Sequence, residues 1–334
     1  MNRSKIILEL FDSTGFGLEV GPSYNPLLPK SHGFNVETID YADHNTLIEK
    51  YRNVPGVDVS KIEYVDYVSD GRPMSDIIGG HRRYDFIVAS HVIEHTPDFL
   101  GFLKDCEYLL KSNGCLVLAL PDKRCCFDIY QRLSSIGEII DAHRSGRTRP
   151  TFGNIFDAVA CGVTRDGLTG WPLDSTGKLS LAHTFDKALD TALSGEKDDR
   201  YIDVHVWRFV PSSFTLTIAT LKRLKFTDFS VTTMKVQGEI IAILEKEGST
   251  IFEDELGLLE KIAQESAAQI SNQETKNLRE KYTFILEKSR AEREEFQYKL
   301  QEAEKTIELM QASRSWRWTS LLRRVRSFKE LLRR

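Results

Sequence analysis

The sequence predicts an α/β domain on a seven-stranded sheet, parallel except for a late antiparallel hairpin, with a long helix after it. Three observations predict this. Up to about residue 247, short β-branched runs bounded by turn residues alternate with segments of helical spacing, the pattern of strands joined by crossover helices. Two later apolar runs, 226–236 and 239–247, are separated only by Gln237 and Gly238, which reads as a hairpin. From residue 250 to 311 the chain has no Pro and is rich in Glu, Lys, Gln and Ala.

Taken in order, the strand runs are GLEVG (17–21), NVETID (35–40), the weaker KIEYVD (61–66), YDFIVAS (84–90) and CLVLALP (115–121). Between the last two lies DFLGFLKDCEYLLKSNG, residues 98–114, with Phe99, Leu103, Cys106, Leu109 and Leu110 at helical spacing. Asp98 is its expected N-cap and Gly114 its expected end. Strand, helix, strand in this order predicts parallel pairing with a right-handed crossover. From about 123 to 205 the chain leaves the sheet, and an insertion of that length usually carries a substrate site or a lid. The domains expected are 1–249 with this insertion, a helix over 250–312, and a tail over 313–334.

Composition narrows the function classes. With 334 residues, 41% hydrophobic and 10% aromatic, the chain can bury a core. The formal charge of −4 is uneven: residues 313–334 hold eight Lys/Arg against Glu330 alone, so a tail at +7 leaves −11 on the remainder. An acidic body argues against general nucleic-acid binding, and a basic end suits an anionic surface. Five cysteines without a C-x-x-C spacing argue against a disulfide framework and for a reducing cytosol. The first residues have too short an apolar run for a secretory signal, and no run approaches a membrane span.

The ends of the first three strand runs carry acids. LEVGPSYNP follows the first strand, with Glu19 in it and Gly21 where the backbone must turn tightly with no Cβ to block a ligand. Asp40 closes the second run, 19 residues after Gly21, where a carboxylate can take both hydroxyls of a ribose. Asp66 closes the third and could read an adenine amino group. Singly each is as well explained as a turn residue; the ordered set carries the reading. There is no G-x-G-x-x-G, and GPSYNPLLPK would dock a diphosphate poorly. A nucleoside without phosphates fits better, and S-adenosylmethionine, with a sulfonium suited to an acidic pocket, is such a ligand.

These segments, with VETIDYADH, YDFIVASHVIEHTPD, LKDCEYLLKSNGCLVLALPDKRCCFD and DVHVWRFVPSSF, resemble bacterial class I S-adenosylmethionine-dependent methyltransferases. The resemblance covers about residues 15–247, and its branch resembles the enzymes found with surface polysaccharide synthesis. It implies a Rossmann-like seven-stranded methyltransferase sheet. It implies that Glu19, Gly21 and Pro22 form the cofactor loop, that Asp40 and the adjoining Tyr41 meet the ribose, and that Asp66 lies near the adenine. Ser90 and His91 would face the methionine part and the transferred methyl. The chain lacks the second and third glycines of the usual loop.

YDFIVASHVIEHTPD also spells H-x-x-E-H, the inverzincin spacing. A shared metal needs both histidines on one helical turn, whereas His91 falls at the strand's end and no third ligand follows at a family spacing, although folding could bring in His205. No metal is assigned. Glu94 and His95 either cap the next helix or, with His91, serve catalysis at a sheet edge where ligands bind. A histidine there can accept a proton from a hydroxyl. Asp122 could orient an acceptor, and Lys123 and Arg124 could hold a phosphate or sugar carboxylate; the alternative is a solvated turn. His205 and Trp207 alternate with Val204 and Val206, and Trp207 is either a sugar-stacking plate or core.

In the helical segment Leu259, Ala263, Ile270, Leu278, Tyr282 and Ile285, then Phe296, Leu300, Ala303, Ile307 and Met310, recur at three- and four-residue steps, an imperfect coiled-coil seam that implies a homo-oligomer of open number; the alternative is a solvated single helix. In the tail Trp318, Leu321, Leu322, Val325, Phe328 and Leu332 share a helical face, as in a basic helix lying on a membrane surface; a partner protein or the body itself could also take it. The reading is a cytoplasmic enzyme, peripheral on the inner face of the membrane, that O-methylates a sugar of a surface glycan or its lipid-linked precursor. The rivals are a nicotinamide-dependent nucleotide-sugar enzyme, which Asp40 would serve equally, and a non-catalytic coiled-coil scaffold.

Overall fold

A computed structural model of the chain describes residues 3–175, 177–197, 201–249, 254–267 and 273–312. The chain divides into two compact units, Met1–Ile270 and Ser271–Arg334. The strands of the first unit are β1 (Gly17–Val20), β2 (Val36–Asp40), β3 (Tyr67–Val68), β4 (Tyr84–Ser90), β5 (Leu110–Pro121), β6 (Val163–Arg165), β7 (Leu179–Leu181), β8 (Ser230–Val236) and β9 (Glu239–Glu245). Its helices are α1 (Arg3–Leu8), α2 (His44–Tyr51), α3 (Met74–Ile78), α4 (Phe99–Leu109), α5 (Ile136–Arg144), α6 (Phe152–Ala160), α7 (Phe185–Lys197), α8 (Pro211–Arg223) and α9 (Glu255–Ala267).

Seven strands form one sheet in the order β3-β2-β1-β4-β5-β9-β8. The pairs among β1 to β5 are parallel, while β9 runs antiparallel to both β5 and β8. The expected late hairpin is therefore present, and it inserts its second strand next to β5. The central strands read as unbroken apolar runs because both faces are covered. One face packs on α3, α4, α5 and α8 through Ile87, Ala89, Phe99, Leu103, Ile139, Phe209 and Phe214; the other packs on α1 and the segment after β1 through Ile6, Ile7, Leu27 and Leu28.

Asp98 caps α4 by accepting from Gly101 N, as its sequence predicts. Gly114 does not end that helix. The chain enters β5 directly at Leu110, and Gly114 lies within the strand, where a Cβ would stand 2.9 Å from the Asp85 carbonyl oxygen and 3.1 Å from that of Tyr84. Backbone cannot yield as a side-chain tip can, so Gly114→Ala is expected to lower stability by about 1–3 kcal/mol, read as a lower urea midpoint at unchanged m-value.

The third strand is also displaced. Residues 59–61 form a 3-10 turn capped by Asp58, and Ile62 and Val65 pack with Ala42 and Leu47 under α2. Their apolar side chains thus serve a small satellite core, and pairing begins only at Tyr67. No α-helix joins β1 to β2 among the described residues. The chain crosses as an irregular segment with one 3-10 turn, Lys30–His32, and two carboxylates hold its backbone: Glu19 accepts from Leu27 N and Leu28 N, and Glu63 from Lys30 N and Ser31 N.

The excursion after β5 includes α5, which stays in the main core, then α6 and α7 packed on each other and the two-stranded β6–β7 sheet. The chain returns where it left, since Lys123 N donates to the Phe209 carbonyl. The helical segment expected over 250–312 is two helices. α9 packs on α8, burying Leu258 and placing Glu265 where Ser212 N and Oγ donate to it at 3.1 Å. The first unit accordingly runs past residue 249. The second unit contains α10 (Gln273–Ala312), on which Phe296, Tyr298, Leu300 and Leu309 are exposed. Residues 313–334, including the basic tail, lie outside the described residues. Among the described residues no helix is long and apolar enough to cross a membrane.

Candidate active site

The carboxyl edge of the parallel strands is built from three adjoining segments. The first follows β1. Gly21 N donates to the Ile39 carbonyl at 2.8 Å, and the turn continues through positive φ at Gly21 (66°) and Ser23 (50°). A Cβ on Gly21 would stand 2.8 Å from Val92, so only glycine leaves this turn its shape. The second segment is the end of β2, where buried Asp40 accepts from Ser23 N and from Tyr41 N, both at 2.8 Å. Each oxygen thus keeps acceptor capacity toward a ligand. Burial pushes its carboxyl above the usual range against the pull of these two amides. Tyr41 beside it is half exposed, with Lys50 Nζ over its ring at 4.4 Å. Pro22 accepts from Asn25 N and closes the turn.

The third segment follows β4. His91 adopts φ 55° and presents Nδ1 to Glu94 at 3.1 Å and Nε2 to Glu239 at 3.2 Å. Burial works against a charged ring here, but the Glu239 and Glu94 carboxylates outweigh it and raise its pKa to about 9. At neutral pH both nitrogens donate, so this arrangement holds His91 as a cation and removes it as a proton acceptor. Arg3 of α1 completes the group: it grips Glu239 at 2.7 and 2.8 Å and donates to Ser90 Oγ at 2.7 Å. Arg3 and His91 balance Glu94 and Glu239 in charge.

Two expected ligand residues sit elsewhere. Glu19 is buried behind the turn with both oxygens taken by Leu27 N (2.6 Å) and Leu28 N (3.0 Å), so it shapes the cofactor loop from beneath. Burial pushes its pKa up to about 7, against these amides, from an ordinary 4.5. The folded state then binds this proton more tightly than the unfolded chain, so stability falls as pH rises from 4.5 to about 7. Relative to Glu19→Gln, which does not titrate, wild type is expected to gain stability as pH is lowered across that window, checked by urea unfolding at each pH. Asp66 stands before β3, not after it. It accepts from Thr38 N at 2.7 Å and forms an ion pair with Lys30, and so is spent on structure. The residues that follow β3 are Ser69, whose N donates to the Asp40 carbonyl, and Asp70.

Asp122 is also not free. It is wholly buried, with its oxygens held by the Arg124 side chain at 2.5–3.0 Å. Lys123 is buried and donates to the Ile129 carbonyl at 2.7 Å, and burial lowers its pKa to about 8. Neither cation is offered to a phosphate. Trp207 is core: it is buried against Phe99 and donates to the Thr96 carbonyl at 2.6 Å.

His95 belongs to a second polar group just beyond. Its Nδ1 stands 2.7 Å from Asp203, and its ring meets that of His205 edge-on at 4.7 Å. Burial disfavours its charge, but Asp203 outweighs this and raises its pKa. His205 is brought here because Val206 N and Trp207 N both donate to the Glu94 carbonyl. Asp128 accepts from its Nδ1 at 2.5 Å. Sequence reasoning assigned no role to Asp128, Asp203, Glu239 or Arg3. The one local signal that could have found any of them is the period-two spacing of Asp203 and His205.

A family model described as a methyltransferase domain matches residues 4–163. Those residues are a methyltransferase domain. The chain is therefore an enzyme, an S-adenosylmethionine-dependent methyltransferase, which sets aside the nicotinamide and scaffold alternatives. No curated protein matches it. Among solved structures the methyltransferase is similar to a protein of Pyrococcus horikoshii at 12% identity, over 72% of this chain and 86% of that one, with a TM-score of 0.38. It is similar to the 1,6-didemethyltoxoflavin N1-methyltransferase of Burkholderia thailandensis at 10% identity, over 73% and 76%, with a TM-score of 0.36. A methyltransferase of Aquifex aeolicus is similar at 17% identity, over 43% and 78%, with a TM-score of 0.29.

Proposed function

We propose that this methyltransferase O-methylates a sugar, in a surface glycan or its lipid-linked precursor. The observation that supports this acceptor class is the polar wall past β4. There Asp203 and half-buried His95 are presented over the buried Glu94 and His205, under the chain returning from the insertion, a polar lining suited to hydroxyl groups and poor for an apolar acceptor. The sequence resemblance to enzymes of polysaccharide synthesis adds to it.

S-adenosylmethionine fits the edge described. The Gly21–Ser23 turn admits a ligand where a side chain would block it, and Asp40 retains acceptor capacity for ribose hydroxyls, with Tyr41 beside it; Asp70, which follows β3, would stand toward the adenine in place of Asp66. Ser90 and His91 would border the methionine part, with His91 as a donor. When bound, the cofactor supplies a methyl group already activated on a sulfonium. The chain's part is to align an acceptor oxygen and exclude water. The seam on α10 that includes Phe296 and Leu300 would pair with a second copy, and the tail over 313–334 would rest on anionic lipid at the inner face of the cytoplasmic membrane.

The full chain, incubated with radiolabelled S-adenosylmethionine and membrane glycan fractions, is expected to place label in a sugar released by acid hydrolysis. Label confined to protein or nucleic acid would overturn the sugar reading. Mass spectrometry of the surface glycan with and without the gene should show the loss of one methyl increment.

A further inference from the structure

We propose that Glu94, His95 and His205 form a binding site for a divalent transition-metal ion. Each offers one ligand atom, and the three atoms lie within 4.8 Å of one another, close enough to converge on one ion at bonds of about 2.0–2.2 Å after a small shift. Two histidines and one carboxylate suit zinc, manganese, iron, cobalt or nickel rather than calcium or magnesium.

An independent observation points the same way. Glu94 is 1% exposed, His91 takes its Oε1, and its Oε2 is buried with no hydrogen-bond partner. A buried carboxylate oxygen left so requires a cation or a proton. His205 also carries the support that metal-bound imidazoles usually have, a carboxylate on the ring's other nitrogen: Asp128 accepts from its Nδ1, which leaves Nε2 for a ligand. Asp203 stands 2.7 Å from His95 Nδ1, yet that buried nitrogen makes no hydrogen bond. The backbone fixes the group in place: His95 N donates to the Val92 carbonyl in the 3-10 turn Ile93–His95, and Val206 N and Trp207 N donate to the Glu94 carbonyl.

A second set, Cys126, Asp128 and His205, shares His205. Its Asp128 already accepts from His205 and Gln131 and faces Arg208 at 3.6 Å, which makes it the outer support of the first set rather than a ligand. Three protein ligands leave open positions on the ion. Resting on the sugar reading above, those positions would take a hydroxyl oxygen, or two neighbouring ones, of the acceptor.

The test uses the full chain, stripped with chelator and titrated with Co²⁺ followed by its visible absorption, with S-adenosylhomocysteine binding measured in parallel. The site predicts one equivalent of Co²⁺ with d–d bands of low-symmetry coordination, and Co²⁺ affinity reduced at least tenfold in Glu94→Gln and in His205→Asn. Homocysteine-analogue binding and the far-UV dichroism of His205→Asn should stay intact. Cys126→Ser should bind Co²⁺ as wild type does. Absence of stoichiometric binding, or equal affinity in both ligand variants, would overturn the site, as would loss in Cys126→Ser with retention in Glu94→Gln. Failure to methylate sugars with Co²⁺ still bound would remove the acceptor reading and leave the metal site standing.

Discussion

Replacing Asp40 with alanine is expected to weaken S-adenosylhomocysteine binding by about 3–5 kcal/mol, roughly a hundred- to a few-thousand-fold. The figure is that of two hydrogen bonds from a ribose diol to one charged acceptor. The effect is concentrated because Asp40 has two tasks. Its oxygens accept from Ser23 N and Tyr41 N, so its loss also releases the positive-φ turn that faces the ligand. Asp40→Asn keeps the size and part of the polarity and should fall between the two. Calorimetry with S-adenosylhomocysteine, on variants whose dichroism matches wild type, measures it. Undiminished affinity in a folded Asp40→Ala would remove Asp40, and the pocket drawn around it, from the cofactor site.

Asp122→Ala should be the most damaging change to stability, at about 3–5 kcal/mol. The carboxylate is completely buried and holds the nearly buried guanidinium of Arg124 through several contacts, so its removal leaves a charge stranded away from water. The position also seals the insertion: Asp122 pairs with Phe209, and Lys123 N donates to the Phe209 carbonyl. Removing both charges together, as Asp122→Leu with Arg124→Met, should recover much of the loss, which a catalytic residue would not allow. Urea unfolding of the three proteins decides it. A variant that keeps its stability while losing turnover would return Asp122 to the acceptor.

The sheet was legible because its strands are buried on both faces and therefore read as unbroken apolar runs; YDFIVAS and CLVLALP could be little else. The late hairpin was legible for a different reason, two strand runs with only Gln237 and Gly238 between them. The third strand was misplaced since Ile62 and Val65, β-branched residues in a short run, read as strand while serving a satellite core under α2. At the site the backbone positions were readable: Gly21 at the turn and Asp40 at the end of β2 lie where the pattern put them. What charged side chains do once buried was not. Glu19, Asp66 and Asp122 are acids at or near strand ends, as sought, but each is claimed by amides or a cation that lies away from the expected ligand position. Nothing in a local pattern indicates which partner folding will deliver, and Asp128, Asp203 and Glu239 arrive from far along the chain.

Strand polarity decides which residues a sheet can bring to bear on a ligand. A parallel strand contributes its last residue to the reactive rim, and the residue that opens it lies on the far side of the molecule. β9 reverses that rule. Its first residue, Glu239, lies opposite Pro121, the last of β5, and so an opening residue reaches His91 across 148 positions of sequence. The two-residue turn before it therefore acts as a spacer: lengthening the link at Gln237–Gly238 would slide that carboxylate along the rim and let both Arg3 and the His91 ring come loose, without altering any residue of the pocket itself.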